Sequence, residues 1–183
     1  MHRKSRIAVP EDTPQMQRLS KTCAASRTLA EGIRLFFEGR DEIAVHSLAA
    51  AAHGAVLDIA RSRKLEFRGV LHDHPSLRPE LKAAWTSLLN EPRNFFKHAD
   101  KDPEGFIDFD GVLNELLLLD TVALSATVMS ELPTEALVYA AWYEIAYPAF
   151  AGAFGENQVL AACRVRGIAP QDRAAFRKLC NAW

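Results

Sequence analysis

Residues 41–63 read DEIAVHSLAAAAHGAVLDIARSR, and this stretch decides the fold class. Asp41 is suited to cap a helix, because its carboxylate can accept hydrogen bonds from the free N–H groups of a first helical turn. Apolar side chains then recur at helical spacing, at Ile43, Leu48, Ala52, Val56 and Ile59. The four alanines at 49–52 permit close contact with a second helix, since small side chains let two backbones come near each other. The stretch therefore predicts a helix from Asp41 to about Arg63 that lies inside a bundle.

The rest of the chain shows the same periodicity. Thr13 and Pro14 are typical of a helix start and Gly39 of a helix end, so the first helix is expected from Pro14 to Gly39. Further helices are expected over about 76–89, in a short segment begun by Pro92, over about 111–132, 133–147 and 156–166, and after Pro170. No run alternates with the period of two that an exposed strand shows. The chain is therefore predicted to be an all-α, single-domain bundle of about six to eight helices.

Length and charge limit the functional classes. With 183 residues, the chain is most simply one domain at residues 14–183, preceded by a flexible basic arm at residues 1–13. The arm has no apolar segment after its basic residues, so it does not resemble a secretory signal. The formal net charge of −1 provides no overall basic surface for nucleic acid, although a local patch could still recruit RNA.

The cysteines and the longest apolar segment indicate a cytoplasmic protein that does not span a membrane. Residues 112–129 are apolar but are interrupted by Glu115 and Asp120, which disfavours a membrane span. The cysteines are odd in number and widely spaced, which indicates free thiols in a reducing compartment. They are Cys23, Cys163 and Cys180.

The stretch that says most about function is PRNFFKHADKDPEGFIDFDG, at residues 92–111. Arg93 and His98 are separated by four residues, and Asn94 directly follows the arginine. This pattern resembles the signature of HEPN-superfamily proteins, which are small all-α bundles that often dimerise and cleave RNA without a metal. The resemblance implies that His98 transfers protons, that Arg93 stabilises charge on the phosphorane, and that Asn94 orients the histidine or the phosphate. It also implies a homodimer that binds RNA and needs no metal or other cofactor.

The expected helix geometry supports this interpretation. Asn94 and His98 are four residues apart and share a helix face, as do Arg93 and Lys97. Pro92 is expected at the first helical position, which would place Arg93 in the first turn. Free backbone N–H groups and the helix dipole favour a phosphate there.

The same segment also fits a non-enzymatic role. If four to six intervening residues are allowed, the arginine-to-histidine pattern also occurs at Arg40–His46 and Arg68–His74, so the pattern alone does not define a site. In the alternative interpretation, the arginine and the lysine are solvated on a surface helix while the two phenylalanines anchor that helix in the core. The protein would then be a helical binding or regulatory module. The blocks at 71–75 and 94–100 resemble uncharacterised bacterial proteins to which no activity is assigned.

Residues 100–111 form an acidic loop that resembles, in part, an EF-hand calcium loop. Acids occupy its first, third and fifth positions and Gly105 its sixth, as calcium coordination and a sharp turn require. The twelfth position is Gly111 rather than a bidentate Glu. The loop is therefore expected to be a degenerate cation site or a helix-capping loop, with Asp108 or Asp110 as the N-cap of the next helix.

The charge of this loop bears on the RNA hypothesis. Its five acids and one lysine give a local net charge of −4, which repels phosphate within a Debye length. A neighbouring basic surface would have to offset this repulsion. The candidates for that surface are Arg61, Arg63, Lys64 and Arg68.

Histidines elsewhere offer weaker metal sites. Glu42, His46 and His53 share one face of the helix predicted at 41–63, but the paired Glu-x-x-His motifs of di-iron bundles are absent. His72 and His74 could chelate zinc, yet two ligands do not make a site. Core or surface positions are therefore expected for these histidines.

Overall fold

A computed structural model describes residues 16–66, 78–98, 100–152, 154–155 and 157–182. Seven α-helices occur in these ranges: α1 (Lys21–Phe37), α2 (Glu42–Ser62), α3 (Lys82–Lys97), α4 (Val112–Val128), α5 (Thr134–Ala146), α6 (Gln158–Val165) and α7 (Arg173–Cys180). Short 3-10 turns lie at Pro79–Leu81 and Pro148–Phe150, and no strand is found within the described ranges. The prediction of an all-α bundle of six to eight helices is confirmed. Predictions that concern Thr13, Pro14, Arg68, His72 and His74 lie outside the described residues.

Helix α2 packs against α1 and α4 along most of its length. Asp41 caps it as predicted, since its Oδ1 accepts hydrogen bonds from the N–H groups of Ile43 at 3.0 Å and Ala44 at 3.1 Å. The contact with α1 is close, because a methyl group at Gly32 would lie only 3.4 Å from the Leu48 Cβ. By length and composition α2 is apolar enough to cross a membrane, but 56% of its most apolar window is buried in the bundle, as in the core helix of a folded domain.

Helix α1 begins later than the sequence predicted. Residues 16–20 are not helical, and the Ser20 hydroxyl accepts a hydrogen bond from the Cys23 N–H at 3.0 Å. Ser20 therefore supplies the cap, because its oxygen satisfies an N–H group that the first turn leaves free. The helix ends at Phe37, and Gly39 follows with a φ of +62°, the left-handed conformation that favours glycine after a helix.

The prediction that Pro92 separates two helices is wrong. Helix α3 runs without interruption from Lys82 to Lys97, with Pro92 inside it. A proline within a helix removes one backbone hydrogen bond and commonly costs about 3 kcal/mol. Leu89 and Pro92 are buried and Phe96 is partly buried on the same side of α3, so both halves of the helix are anchored to the bundle. Tertiary packing therefore outweighs the helix-breaking tendency of the proline.

Helix α5 forms the other half of the core and contacts α1, α4, α6 and α7. Its aromatic residues pack with those of the neighbouring helices in a cluster of Phe36, Phe37, Tyr139, Trp142 and Phe176. The Trp142 indole donates a hydrogen bond to the carbonyl of Pro170 at 2.9 Å. These rings belong to the core and are not an exposed platform for stacking bases.

Candidate functional site

The two faces of α3 line two different cavities. Arg93, Phe96 and Lys97 face α2 and line a cavity of about 310 Å³, called the α2–α3 cavity below. The α2 side of this cavity consists of His46, Ser47, Ala50 and Ala51. Its walls are therefore largely apolar, and two cationic side chains come from α3.

Asn94 and His98 line a second cavity, on the side of α3 that carries the acidic loop. Lys101 and Asp102 of that loop line it as well. The predicted pairings by face thus hold, since Asn94 shares a cavity with His98 and Arg93 with Lys97.

Arg93 and His98, however, do not line the same cavity within one chain. Side chains five residues apart on an α-helix point roughly 140° away from each other, because each residue turns the helix by about 100°. Arg93 is also the twelfth residue of α3, counted from Lys82, and not a first-turn residue. The expected help from free N–H groups at a helix start is therefore absent at Arg93.

The Arg93 side chain lies against the backbone of α2 at Gly54. A methyl group at residue 54 would lie 2.8 Å from Arg93 Nη2, closer than a van der Waals contact allows. Arg93 is partly exposed, and no hydrogen bond or ion pair joins it to any residue that the structure describes. Glycine at position 54 thus leaves room for a guanidinium whose five donors are not used by any residue in the described ranges.

His46 lies at the α2 wall of the same cavity and is 2% exposed. Its Nδ1 is 3.0 Å from Asn114 Oδ1 on α4. The Asn114 amide nitrogen donates to the carbonyl of Glu42 at 3.0 Å, which fixes the orientation of the amide. Among the described residues His46 Nε2 has no hydrogen-bond partner, although it is buried. Burial lowers the pKa of His46, and the hydrogen bond with Asn114 only partly opposes this effect, so the imidazole is neutral near neutral pH.

Two phenylalanines hold the His46 ring in place. The rings of Phe96 on α3 and Phe109 of the acidic loop meet it edge to face, with centroids 5.7 and 5.2 Å away. Phe96 and Phe109 also contact each other, at 5.3 Å. Helix α3 and the end of the acidic loop are therefore anchored on α2 through this histidine.

The acidic loop folds as a set of local turns. The Asp102 carboxylate lies against Gly105, whose N–H donates to the Asp102 carbonyl at 3.1 Å. The N-cap of α4 is Gly111 and not Asp108 or Asp110 as predicted, but Asp110, one residue earlier, accepts a hydrogen bond at its Oδ1 from the N–H of Val112 at 3.0 Å, so the loop still satisfies an N–H group of the first turn. In the part of the chain that the structure describes, no group of three or more His, Cys, Asp or Glu residues is placed to hold a metal ion.

The remaining predicted candidates lie elsewhere. His53 is buried on the same face of α2 as His46, and its Nε2 is 2.8 Å from Asp120 Oδ2 on α4. Core or surface positions were expected for these two histidines, and both lie in the core. Of the proposed basic surface, Arg63 donates to the carbonyl of Val128 at 2.9 Å, while Arg61 and Lys64 are exposed.

The cysteines are free thiols, as expected. Cys23 is exposed, whereas Cys163 and Cys180 are buried. Burial raises the pKa of Cys163 and raises that of Cys180 to about 12. Neither buried thiol is therefore ionised near neutral pH, as a nucleophile has to be.

Sequence reasoning missed the contributions of Asn114 and Gly54. Both have a signal in the sequence: Asn114 is a polar residue within an apolar helix, and Gly54 interrupts an alanine-rich one. Neither signal identifies the partner residue, since Asn114 lies 68 positions from His46.

No protein-family model, curated protein or solved structure matches this chain.

Proposed function

We propose that this protein is a helical binding module that recognises an oxyanion, such as a phosphoryl group, in the α2–α3 cavity. The observation behind this proposal is the Arg93 guanidinium, which lies over Gly54 without an ion pair or hydrogen bond to any described residue. A planar guanidinium can donate two parallel hydrogen bonds to a phosphate or carboxylate. Lys97, one turn further along α3, adds a second positive charge at the same cavity.

The size and lining of the cavity agree with a small ligand. Its volume of about 310 Å³ is at the lower end of the usual range for small-molecule pockets. Ala50, Ala51 and Phe96 supply an apolar wall, and Ser47 supplies a hydroxyl. A few polar groups on an apolar wall are typical of a site that orients a ligand as well as binding it.

Charge favours this cavity over the second one for an anion. Asp102 lines the second cavity and does not line the α2–α3 cavity. The α2–α3 cavity is lined by Arg93 and Lys97 and by no acid among the described residues. An oxyanion is therefore attracted to the α2–α3 cavity, whereas the Asp102 carboxylate would repel it in the second cavity.

Calorimetric titration with inorganic phosphate at low ionic strength tests the proposal. We expect Arg93→Ala to weaken binding about 10- to 100-fold, since hydrogen bonds to charged groups contribute about 1.5–3 kcal/mol. Lys101→Ala is the matched control, because it removes one positive charge from the second cavity and leaves the first intact. Equal affinity in the two variants, or no binding by the wild type, would exclude the oxyanion site.

A second candidate function is the metal-independent ribonuclease that the HEPN-like pattern predicts. The observation in its favour is that Asn94, His98 and Lys101 share the second cavity, where an imidazole and an ammonium could reach one phosphodiester. Arg93 lines the other cavity of the same chain. This candidate therefore needs Arg93 from a second copy and includes the predicted homodimer.

RNA cleavage in the presence of EDTA tests this second candidate. The expected result is activity that survives EDTA, is lost in His98→Ala, and is retained in Ser87→Ala, which alters another residue of the same cavity. Activity that EDTA abolishes, or that His98→Ala retains, would rule it out. The titration with phosphate remains informative in either case, because it reports on Arg93 in the α2–α3 cavity.

A further inference from the structure

The tautomer of His46 is fixed by two linked hydrogen bonds: the one from Asn114 to Glu42 orients the Asn114 amide, and the one between Asn114 and His46 then sets the proton position. The Glu42 carbonyl can only accept, so the Asn114 atom 3.0 Å from it has to be the amide nitrogen. The other amide atom, 3.0 Å from His46 Nδ1, is then the oxygen, which also only accepts. His46 Nδ1 therefore carries the proton, and in a neutral imidazole Nε2 is left as an unprotonated acceptor.

This acceptor has no partner inside the described protein. His46 Nε2 is buried without a hydrogen bond, in a side chain that is 2% exposed and lines the α2–α3 cavity. A buried acceptor that is left unsatisfied destabilises the folded protein, so a ligand that donates to it recovers part of that cost. Arg93 and Lys97 line the same cavity and repel a metal ion, which makes a hydrogen-bond donor the fitting partner.

We infer that the ligand of the α2–α3 cavity is a protonated oxyanion, in which one oxygen accepts from Arg93 and a hydroxyl on the same group donates to His46 Nε2. This inference rests on the proposed oxyanion site and specifies its ligand class. Hydrogen phosphate has such a hydroxyl at neutral pH. Sulfate has the same tetrahedral shape and the same charge of two but no proton. Its oxygen would face the Nε2 lone pair, and the two would repel.

The preference for phosphate over sulfate is the measurable consequence. Calorimetric titration of the wild-type protein with each ion at neutral pH should give at least about 10-fold tighter binding of phosphate. Phosphate gains a hydrogen bond to Nε2 where sulfate meets repulsion, so the two binding free energies should differ by more than about 1.4 kcal/mol, which corresponds to a factor of ten. Equal affinities for the two ions would overturn this inference and leave the oxyanion site itself intact. Binding of neither ion would overturn both proposals.

Two variants separate the role of His46 from that of Arg93. His46→Leu removes the acceptor, and we expect it to lower the phosphate affinity and to relieve the repulsion of sulfate, so that the two affinities become about equal while both ions still bind. Arg93→Ala should weaken both ions together and preserve the ratio between them. A phosphate preference that persists in folded His46→Leu would overturn the inference.

The tautomer can be measured without any substitution, should His46→Leu fail to fold. Nitrogen-15 NMR of the imidazole distinguishes a protonated ring nitrogen from an unprotonated one by its chemical shift. The expected spectrum of His46 in the free wild type shows a protonated Nδ1 and an unprotonated Nε2, with a shift of the Nε2 signal on addition of phosphate. A protonated Nε2, or an Nε2 signal that saturating phosphate leaves unchanged, would overturn the inference.

Discussion

His46 is a neutral imidazole enclosed between α2, α3 and α4, and this burial makes the folding free energy depend on pH. Burial lowers its pKa in the folded protein below the ordinary value of 6.5. Below pH 6.5 the unfolded chain therefore binds a proton more readily than the folded one. The contribution of the neutral His46 to the stability of the folded protein is fully present above pH 6.5 and is lost as the pH falls towards the folded-state pKa.

Chemical unfolding at several pH values tests this linkage. Between about pH 8 and pH 5 we expect the wild type to lose more stability than His46→Gln, which keeps a neutral polar side chain and cannot be protonated. The difference between the two proteins isolates His46 from the other titrating groups. Identical pH profiles would show that His46 is not held neutral by the fold.

Gly54 provides a second test at the scale of one residue. An alanine there is a better helix former and should stabilise α2 by up to about 1 kcal/mol. Its methyl group would lie 2.8 Å from Arg93 Nη2, the far end of a flexible side chain that can move away. We therefore expect Gly54→Ala to be at least as stable as the wild type in thermal unfolding and yet to bind phosphate several-fold more weakly. Unchanged phosphate affinity would mean that the position of Arg93 over Gly54 does not matter for binding.

At the scale of the helix, α2 and α4 are joined by two buried polar pairs. His46 pairs with Asn114, and His53 with Asp120, two turns further along α2. Pairs of this kind fix the register of two helices, because a shift along the axis would leave buried polar groups without partners. The alanine-rich face of α2 alone would permit several registers against α4. These two polar pairs therefore explain why the apolar contact between the helices adopts a single register.

Asp120→Ala tests the contribution of the second pair. Loss of a hydrogen-bond partner from a buried polar pair typically costs about 1–3 kcal/mol. Asp58→Ala on the exposed face of α2 is the control and should change stability by less than about 0.5 kcal/mol. The measurement is the free energy of unfolding from urea denaturation. A loss below about 1 kcal/mol for Asp120→Ala would contradict a structural role for the pair.

The ends of the helices could be predicted from sequence where a capping residue and the nearby apolar spacing set them. They could not be predicted where tertiary contacts decide whether a helix continues. Asp41 and the apolar spacing after it specify α2 with nearly the correct ends. Pro92 was wrongly expected to end a helix, because the packing of Leu89 and of the partly buried Phe96 on either side of it is a property of the folded bundle. Ser20, rather than Thr13, caps the described start of α1, and both are equally suited to do so by residue type.

At the scale of the whole molecule, the helical periodicity of the sequence was enough to predict an all-α bundle, but it could not predict which residues line each cavity. The α2–α3 cavity combines residues about 47 positions apart, such as His46 and Arg93, and only the folded chain brings them together. The spacing of Arg93 and His98 was visible in the sequence, but the rotation of α3 directs them to separate cavities. A ribonuclease site made from these two residues therefore has to be shared between two copies.

A shared site makes a specific prediction about mixtures of inactive variants. In a two-fold dimer, Arg93 of one copy would act with His98 of the other, so Arg93→Ala and His98→Ala should each be inactive alone. Co-expressed in equal amounts, they should form mixed dimers in about half of the population, each with one intact and one doubly altered site, and regain about one quarter of the wild-type RNA cleavage. Cleavage of a fluorescent RNA in EDTA measures the activity, and sedimentation measures the dimer. If the mixture stays inactive while mixed dimers form, the two residues do not act together, and Arg93 remains only as the predicted oxyanion ligand of the α2–α3 cavity.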